Sequence, residues 1–417
     1  MFYKRTLVSY INIQRFRRMA LHLGASMKAA AFAFAVLMWG GPVSAGTDTV
    51  IPAWTAATTF KPAKLKEGEA AIYDGQAVRQ DVRFQARTRK VSLRLTNELG
   101  ATRVSIAKVE LRVIQADGSL GAPHPARFGG GDAVTLEPGA VRYTDYVELA
   151  APAFTDVAVI VRYPGLAEPV AHRTLVRIAK VDETPGSQLP TVRGAAIVSA
   201  VETVAPKAAC RRVVVALGDS ITEGAGSTPH NDWPSRLARR FQGGRCEVVI
   251  VNAGISGNKV LSDGGSPAML ARLDRDVFAV PGVTDIIFAE GINDIRSAET
   301  NNLDSEALAA QLLEGYRQLT LRAHAHGVRV IGGTLTPYKG TSNQTDAGLA
   351  TVERVNGAIR SGAVFDAVID FNRALADPAD PQRMQAAFQK GDWLHPNDAG
   401  YAAMAAAAPD GLFASRP

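Results

Sequence analysis

The chain has 417 residues, 47% of them hydrophobic and 21% charged. That length and balance exclude a disordered chain or a disulfide-stapled miniprotein, and leave room for two or three domains with a sizeable core. The formal charge of +6 comes from residues 1–45, which hold Lys4, Arg5, Arg15, Arg17, Arg18 and Lys28 and no acid; the remainder balances 40 basic against 40 acidic side chains, and so points to no nucleic-acid partner.

The basic start has the parts of an export signal. Lys28 leads into an apolar run of 11 residues, 29–39, followed by Gly40-Gly41-Pro42 and the small-residue site Val43-Ser44-Ala45. The run is shorter than the roughly 20 residues that cross a bilayer, so no stable membrane span is expected. An amphipathic, membrane-anchored N-terminus is the other reading of this segment. Met19 and Met27 are alternative starts. With the signal removed, the mature chain begins near Gly46 and works outside the cytoplasm, secreted or periplasmic.

Residues 46–205 read as an all-β, sandwich-like domain with a linker. Val91, Leu93 and Leu95 alternate with Ser92, Arg94 and Thr96, and 104–106, 109–113 and 157–161 are further β-runs. Asp117-Gly118, the run 129–132 (Gly-Gly-Gly-Asp) and Glu137-Pro138-Gly139 supply turns between them, as in an antiparallel sandwich. The stretch 184–207, with Pro185, Pro190 and Pro206, reads as the join.

Residues 206–417 alternate strands and helices. Short apolar runs at 213–217, 248–251, 285–289, 328–331 and 367–371 suit strands buried on both faces. Between them Trp233, Leu237 and Phe241, then Leu270, Leu273 and Val277, recur at helical spacing, and 305–326 is a long amphipathic stretch stopped by Gly327. Repeated strand–helix units predict a parallel sheet with its ligand site at the carboxyl ends of the strands. Cys210 and Cys246 each stand just before a strand. If those strands are neighbours the sulfurs can meet in a disulfide; otherwise they are two free thiols.

Four segments beyond predicted strands carry the chemistry. The first strand runs into Gly218-Asp219-Ser220, the second into 252–258 (Asn-Ala-Gly-Ile-Ser-Gly-Asn), and the third into 290–294 (Glu-Gly-Ile-Asn-Asp); near the C-terminus stands 391–397 (Gly-Asp-Trp-Leu-His-Pro-Asn). A serine hydroxyl needs a positioned base to become a nucleophile, and His395 has a suitable resting pKa. Asp392, three residues earlier, can share a turn with the imidazole and orient it. The sequence does not fit the Gly-x-Ser-x-Gly elbow of α/β-hydrolases.

In order and in setting, these segments resemble the four blocks of the SGNH/GDSL hydrolase family over residues 211–413. The resemblance implies a flavodoxin-like three-layer α/β/α domain with a five-stranded parallel sheet. It also implies a serine esterase with Ser220, Asp392 and His395 as its triad. Its oxyanion hole would be the backbone N–H groups of Ser220 and Gly257 and the side-chain amide of Asn293. Asp219 and Asp294 read as loop-shaping acceptors, and Asn252, Ser256 and Asn258 as residues that order the loop around Gly257. Segments 224–228, 273–277, 334–340 and 377–381, with Asn97-Glu98, are similar to a xylan-esterase-like branch of secreted bacterial esterases. The expected substrate is then a small-molecule or polysaccharide ester, acetyl esters on carbohydrate foremost. A lipolytic esterase or thioesterase on longer chains, or a carbohydrate-binding protein with a vestigial hydrolase domain, are the alternatives. No cofactor or metal is called for: the seven histidines show no metal-binding spacing, and His324 and His326 are two apart on a helix, hence on different faces.

Overall fold

Alternating and β-branched residues dominate the first half of the chain, and in the computed structural model they form strands. The structure describes residues 48–60, 66–208, 210–300 and 304–414. The expected export signal at 1–45 lies outside the described residues. In chain order come β1 (Asp48–Thr55), β2 (Gln76–Arg83), β3 (Thr88–Thr96), β4 (Val104–Ile106), β5 (Lys108–Val113), β6 (His124–Ala126) and β7 (Val134–Leu136). They are followed by β8 (Val141–Tyr143), β9 (Val147–Ala151), β10 (Asp156–Tyr163), β11 (His172–Lys180), β12 (Val192–Ala196) and β13 (Val198–Pro206). Two antiparallel sheets result. One has the order β1-β13-β3-β8, with β9 also on β3; the other runs β12-β11-β2-β10-β5-β6. Val91, Leu93, Val159 and Val161 are among the buried residues that fill the core between them. Asn97 holds the turn after β3, its amide donating to the carbonyls of Thr102 (2.8 Å) and Glu137 (3.2 Å), while Glu98 pairs with Arg94.

One expectation needs correction. The proline-bearing stretch 184–207 is no simple join, because it holds β12 and β13, and β13 lies inside its sheet between β1 and β3. Its prolines are compatible with that: Pro185 and Pro190 precede the strands, and Pro206 is the final residue of β13. On the polar side of β3, Ser92 and Thr96 are buried, as Val91 and Leu95 are on the other. Arg94, on that side, lines a small cavity of about 40 Å³ together with Glu202, Arg275 and Asp276.

The second half builds β14 (Arg211–Gly218), β15 (Glu247–Gly254), β16 (Asp285–Ala289), β17 (Arg329–Gly333) and β18 (Ala367–Ile369). They form one parallel sheet in the order β15-β14-β16-β17-β18. This is the flavodoxin-like order, with the chain switching direction at β14 and β16. Its helices are α1 (Ser220–Glu223), α2 (Trp233–Arg240), α3 (Met269–Leu273), α4 (Ile292–Thr300), α5 (Ser305–Ala325), α6 (Asp346–Arg360), α7 (Phe371–Leu375) and α8 (Asp398–Ala406). Leu273, Leu312, Leu319 and Val355 pack with Val215 and Val330 in one cluster. Trp233, Leu237, Phe371 and Tyr401 pack with Val214 and Ile331 in another, so helices cover both faces of the sheet. The last strand stops at Ile369, short of the expected 371, because Asp370 accepts the backbone N–H of Arg373 and caps α7. Leu273 ends α3, and a wider π turn over Asp274–Phe278 continues it past Val277.

The described residues form one compact unit. Strand β1 packs along the outer strand β15. Ile51, Ala57, Ala86 and Ala205 from the β-region join Val249 and Val251 in the same buried cluster. Among the described residues no helix is long and apolar enough to cross a membrane.

Cys210 and Cys246 are joined in a disulfide, 36 residues apart in sequence. The pairing follows from the sheet: each cysteine directly precedes one of two neighbouring parallel strands, where Arg211 faces Glu247. Closing a loop of that size removes enough unfolded-chain entropy to stabilise by about 2–4 kcal/mol. The variant with both cysteines replaced by serine is therefore expected to lose about that much in urea unfolding. Dithiothreitol should lower the wild-type midpoint and leave the variant's unchanged.

Candidate active site

Strand β14 delivers Ser220 to the carboxyl edge of the sheet. Gly218 is needed there because a Cβ would come 2.4 Å from the Ala289 carbonyl oxygen. Asp219 then caps α1, its carboxylate accepting the Ile221 N–H at 2.9 Å, and Ser220 starts the helix. From the far end of the chain, the loop 391–397 returns to meet it. His395 Nε2 lies 2.8 Å from Ser220 Oγ, and His395 Nδ1 lies 2.7 Å from Asp392 Oδ2. The other Asp392 oxygen accepts the backbone N–H groups of Leu394 (3.0 Å) and His395 (2.9 Å). This local turn explains the three-residue spacing. It places Trp393 at a φ of 59°, an uncommon conformation for a bulky side chain. Arg383 stacks on the Trp393 ring at 3.8 Å and buttresses that turn.

The loop after β15 is fastened residue by residue. Asn252 donates to the Thr222 carbonyl at 2.7 Å and accepts the Gly254 N–H at 2.8 Å. Ser256 donates its N–H to Glu223 at 2.7 Å, and Asn258 donates to Ser266 (2.9 Å) and the Pro267 carbonyl (2.8 Å). Between Ser256 and Asn258, Gly257 adopts a φ of 75°, which a side chain would disfavour. Asn293 stands in the first turn of α4, and its amide donates to the Asn258 carbonyl at 3.0 Å and lies 3.5 Å from Asp219. Asp294 accepts the N–H groups of Val260 (2.9 Å) and Leu261 (3.0 Å), the loop-shaping role expected of it. Within the described residues, the backbone N–H groups of Ser220 and Gly257 donate to no protein acceptor.

Arg272 is the residue that sequence reasoning missed. Its side chain is fully buried and donates to the carbonyls of Gly218 (3.0 Å) and Ala253 (2.7 Å) and to Asn258 (2.7 Å). One guanidinium thus ties together the turn before Ser220 and the loop around Gly257. Its ionic partners are Asp276 at 3.2 Å and Glu290 at 3.6 Å. A usable signal existed: Arg272 and Asp276 lie four apart on the apolar face of the Met269–Val277 helical run.

The electrostatics separate the carboxyl groups. Burial opposes the charge of Asp392, but hydrogen bonds from the His395 and Leu394 backbone and from the imidazole outweigh it, holding the carboxyl down to about 2. Burial, aided by the nearby Lys390 and Arg296 charges, moves His395 below its usual range, against the pull of Asp392. The imidazole is then neutral at neutral pH and free to accept a proton. Burial pushes Asp219 up to about 7 and Glu290 well above its usual range, the latter despite Arg272.

A raised acid favours folding while it is protonated, and that contribution fades as pH climbs from the unfolded value of about 4 through the folded one. For Asp219 the window is therefore from about 4 to about 7. Asp219→Asn keeps the acceptor for Ile221 and cannot ionise. It should raise the thermal midpoint at pH 8 by about 3 °C or more, with little change at pH 4. Differential scanning calorimetry across that range checks both halves.

Three other described histidines have partners of their own. His324 pairs with Asp366 at 2.9 Å and His326 stacks on Phe278, whereas His172 is buried against Gln80 and Trp54.

Residues 216–403 match the family model described as GDSL-like lipase/acylhydrolase. No curated protein matches the chain. Among solved structures, a G-D-S-L family lipolytic protein from Desulfitobacterium hafniense DCB-2 is 22% identical, covering 47% of this chain and 96% of its own at a TM-score of 0.36. A G-D-S-L family member from Veillonella parvula DSM 2008 is 24% identical, with 48% and 96% covered and a TM-score of 0.36. A carbohydrate acetylesterase family member from Sinorhizobium meliloti is 16% identical, with 47% and 94% covered and a TM-score of 0.37. Likenesses this remote assign no substrate. Residues 216–403 are thus a GDSL-like lipase/acylhydrolase domain, and that domain makes the protein a carboxylic ester hydrolase.

Proposed function

We propose that this hydrolase is an exported serine esterase acting on short acyl esters, acetyl groups on carbohydrate foremost, with Ser220 as nucleophile. The observation that carries the reading is the unbroken chain of contacts from Ser220 Oγ through His395 to Asp392. In this mechanism Ser220 attacks the ester carbonyl while neutral His395 takes its proton. The backbone N–H groups of Ser220 and Gly257 and the amide of Asn293 meet the oxyanion. The intermediate collapses as the imidazolium protonates the leaving alcohol, leaving an acyl-serine. Water, deprotonated by the same imidazole, then releases the acid and restores the serine. Asp392 stays ionised throughout and steadies the imidazolium.

Acyl length rests on residues 224–228 and 377–381 resembling the xylan-esterase-like branch, and export on residues 1–45. The Cys210–Cys246 disulfide accords with an oxidising compartment. The deciding measurement compares 4-nitrophenyl acetate with the octanoate ester and follows acetate release from acetylated xylan. Faster turnover of acetate, with release from xylan, is the expected result. Preference for octanoate would instead indicate a lipolytic enzyme.

A further inference from the structure

Glu223 is the final residue of α1, three positions after Ser220. One of its oxygens, Oε2, accepts both the backbone N–H of Ser256, at 2.7 Å, and the Ser256 hydroxyl. The other, Oε1, lies 3.7 Å from Arg193 Nη2 on β12. A single carboxylate therefore connects the helix that begins with Ser220, the loop that presents Gly257, and the β-region. Two further bonds from the β-region reach the end of β15 and the same loop. Thr55 donates its hydroxyl to the Asn252 carbonyl, and Phe60 its N–H to the Gly265 carbonyl, each at 3.1 Å.

Gly257 depends on such anchors. It has no side chain, and a Cβ built on it would meet nothing within 4 Å, so packing does not set the direction of its N–H. Its neighbours do: Arg272 holds Asn258 on one side, and Glu223 holds Ser256 on the other. An oxyanion donor is effective only when it is oriented before the charge develops. We infer that Glu223 is a positioning residue for the Gly257 donor, braced by Arg193, so that the β-region is a working part of the esterase site. This rests on the roles proposed above for Ser220 and Gly257.

The test uses the full chain with 4-nitrophenyl acetate. Glu223→Ala should lower kcat by about 10- to 100-fold with KM within about twofold, since orientation of one donor is lost while substrate binding is not. Affinity for methylboronic acid, whose tetrahedral serine adduct places an oxygen where the oxyanion sits, should fall alongside kcat. Glu223→Gln keeps an acceptor for Ser256 and should recover kcat to within about fivefold of wild type. Arg193→Ala acts through an exposed pair and should lower kcat only by about two- to fivefold. Glu223→Ala with kcat within about twofold of wild type, or with kcat lowered but boronate affinity intact, overturns the inference. If hydrolysis survives Ser220→Ala, the underlying reading fails; a Ser220-dependent enzyme indifferent to Glu223 removes only the present proposal.

Discussion

Ser220→Ala is expected to lower kcat for 4-nitrophenyl acetate by about 10⁴- to 10⁶-fold while leaving the fold in place. The substitution removes one hydroxyl whose recorded partner is His395, and it leaves the Asp219 cap and the Arg272 contacts intact. Circular dichroism and the thermal midpoint should therefore match wild type. His395→Ala should fall almost as far, and the double variant little further, because a nucleophile and its base act as a unit. An alanine variant that keeps wild-type turnover would remove Ser220 from the mechanism.

Arg272→Met has the largest expected effect on stability. It strands Glu290, whose side chain is as fully buried as that of Arg272, and withdraws one cation from Asp276. The carbonyls of Gly218 and Ala253 also lose a donor. Removing one partner of such a buried pair typically costs about 3–5 kcal/mol. The sign of the pH dependence follows from Glu290, whose carboxyl is held up by burial. At low pH the stranded group is neutral and easier to bury, so urea unfolding should show a larger penalty at pH 8 than at pH 5. Adding Glu290→Gln should recover part of the loss, which a double-mutant cycle would read as coupling. Equal penalties at both pH values would show that packing, and not charge, is what Arg272 contributes.

The parallel sheet was legible because its strands are buried on both faces and read as unbroken apolar runs. The pairing of Asp392 with His395 was legible because a three-residue spacing within one turn is a local property. What stayed hidden was decided by partners far away in sequence. Arg272 sits among apolar residues, and no local rule reveals that its acceptors are the carbonyls of Gly218 and Ala253. Ser92 and Thr96 alternate with apolar neighbours, and nothing local shows that they are buried as well. The prolines of 184–207 suggested a connection, but a proline at a strand's end breaks nothing, and β13 became an interior strand. Glu223 drew no notice because its acceptor role depends on Ser256 and Arg193 meeting around it.

The pairing of β1 with β13 also constrains how the chain reaches this state. Asp48 faces Pro206 and Thr55 faces Ala200, so the first described strand emerges from the ribosome long before its partner exists. Loop closure over that distance is slow, and until it happens the strand's hydrogen-bonding groups are open to any other chain. Ile51, on that same strand, then has to find Val249 and Val251 in the later half. Folding of the two halves is thus interlocked in time: β1 is completed only when the hydrolase sheet arrives.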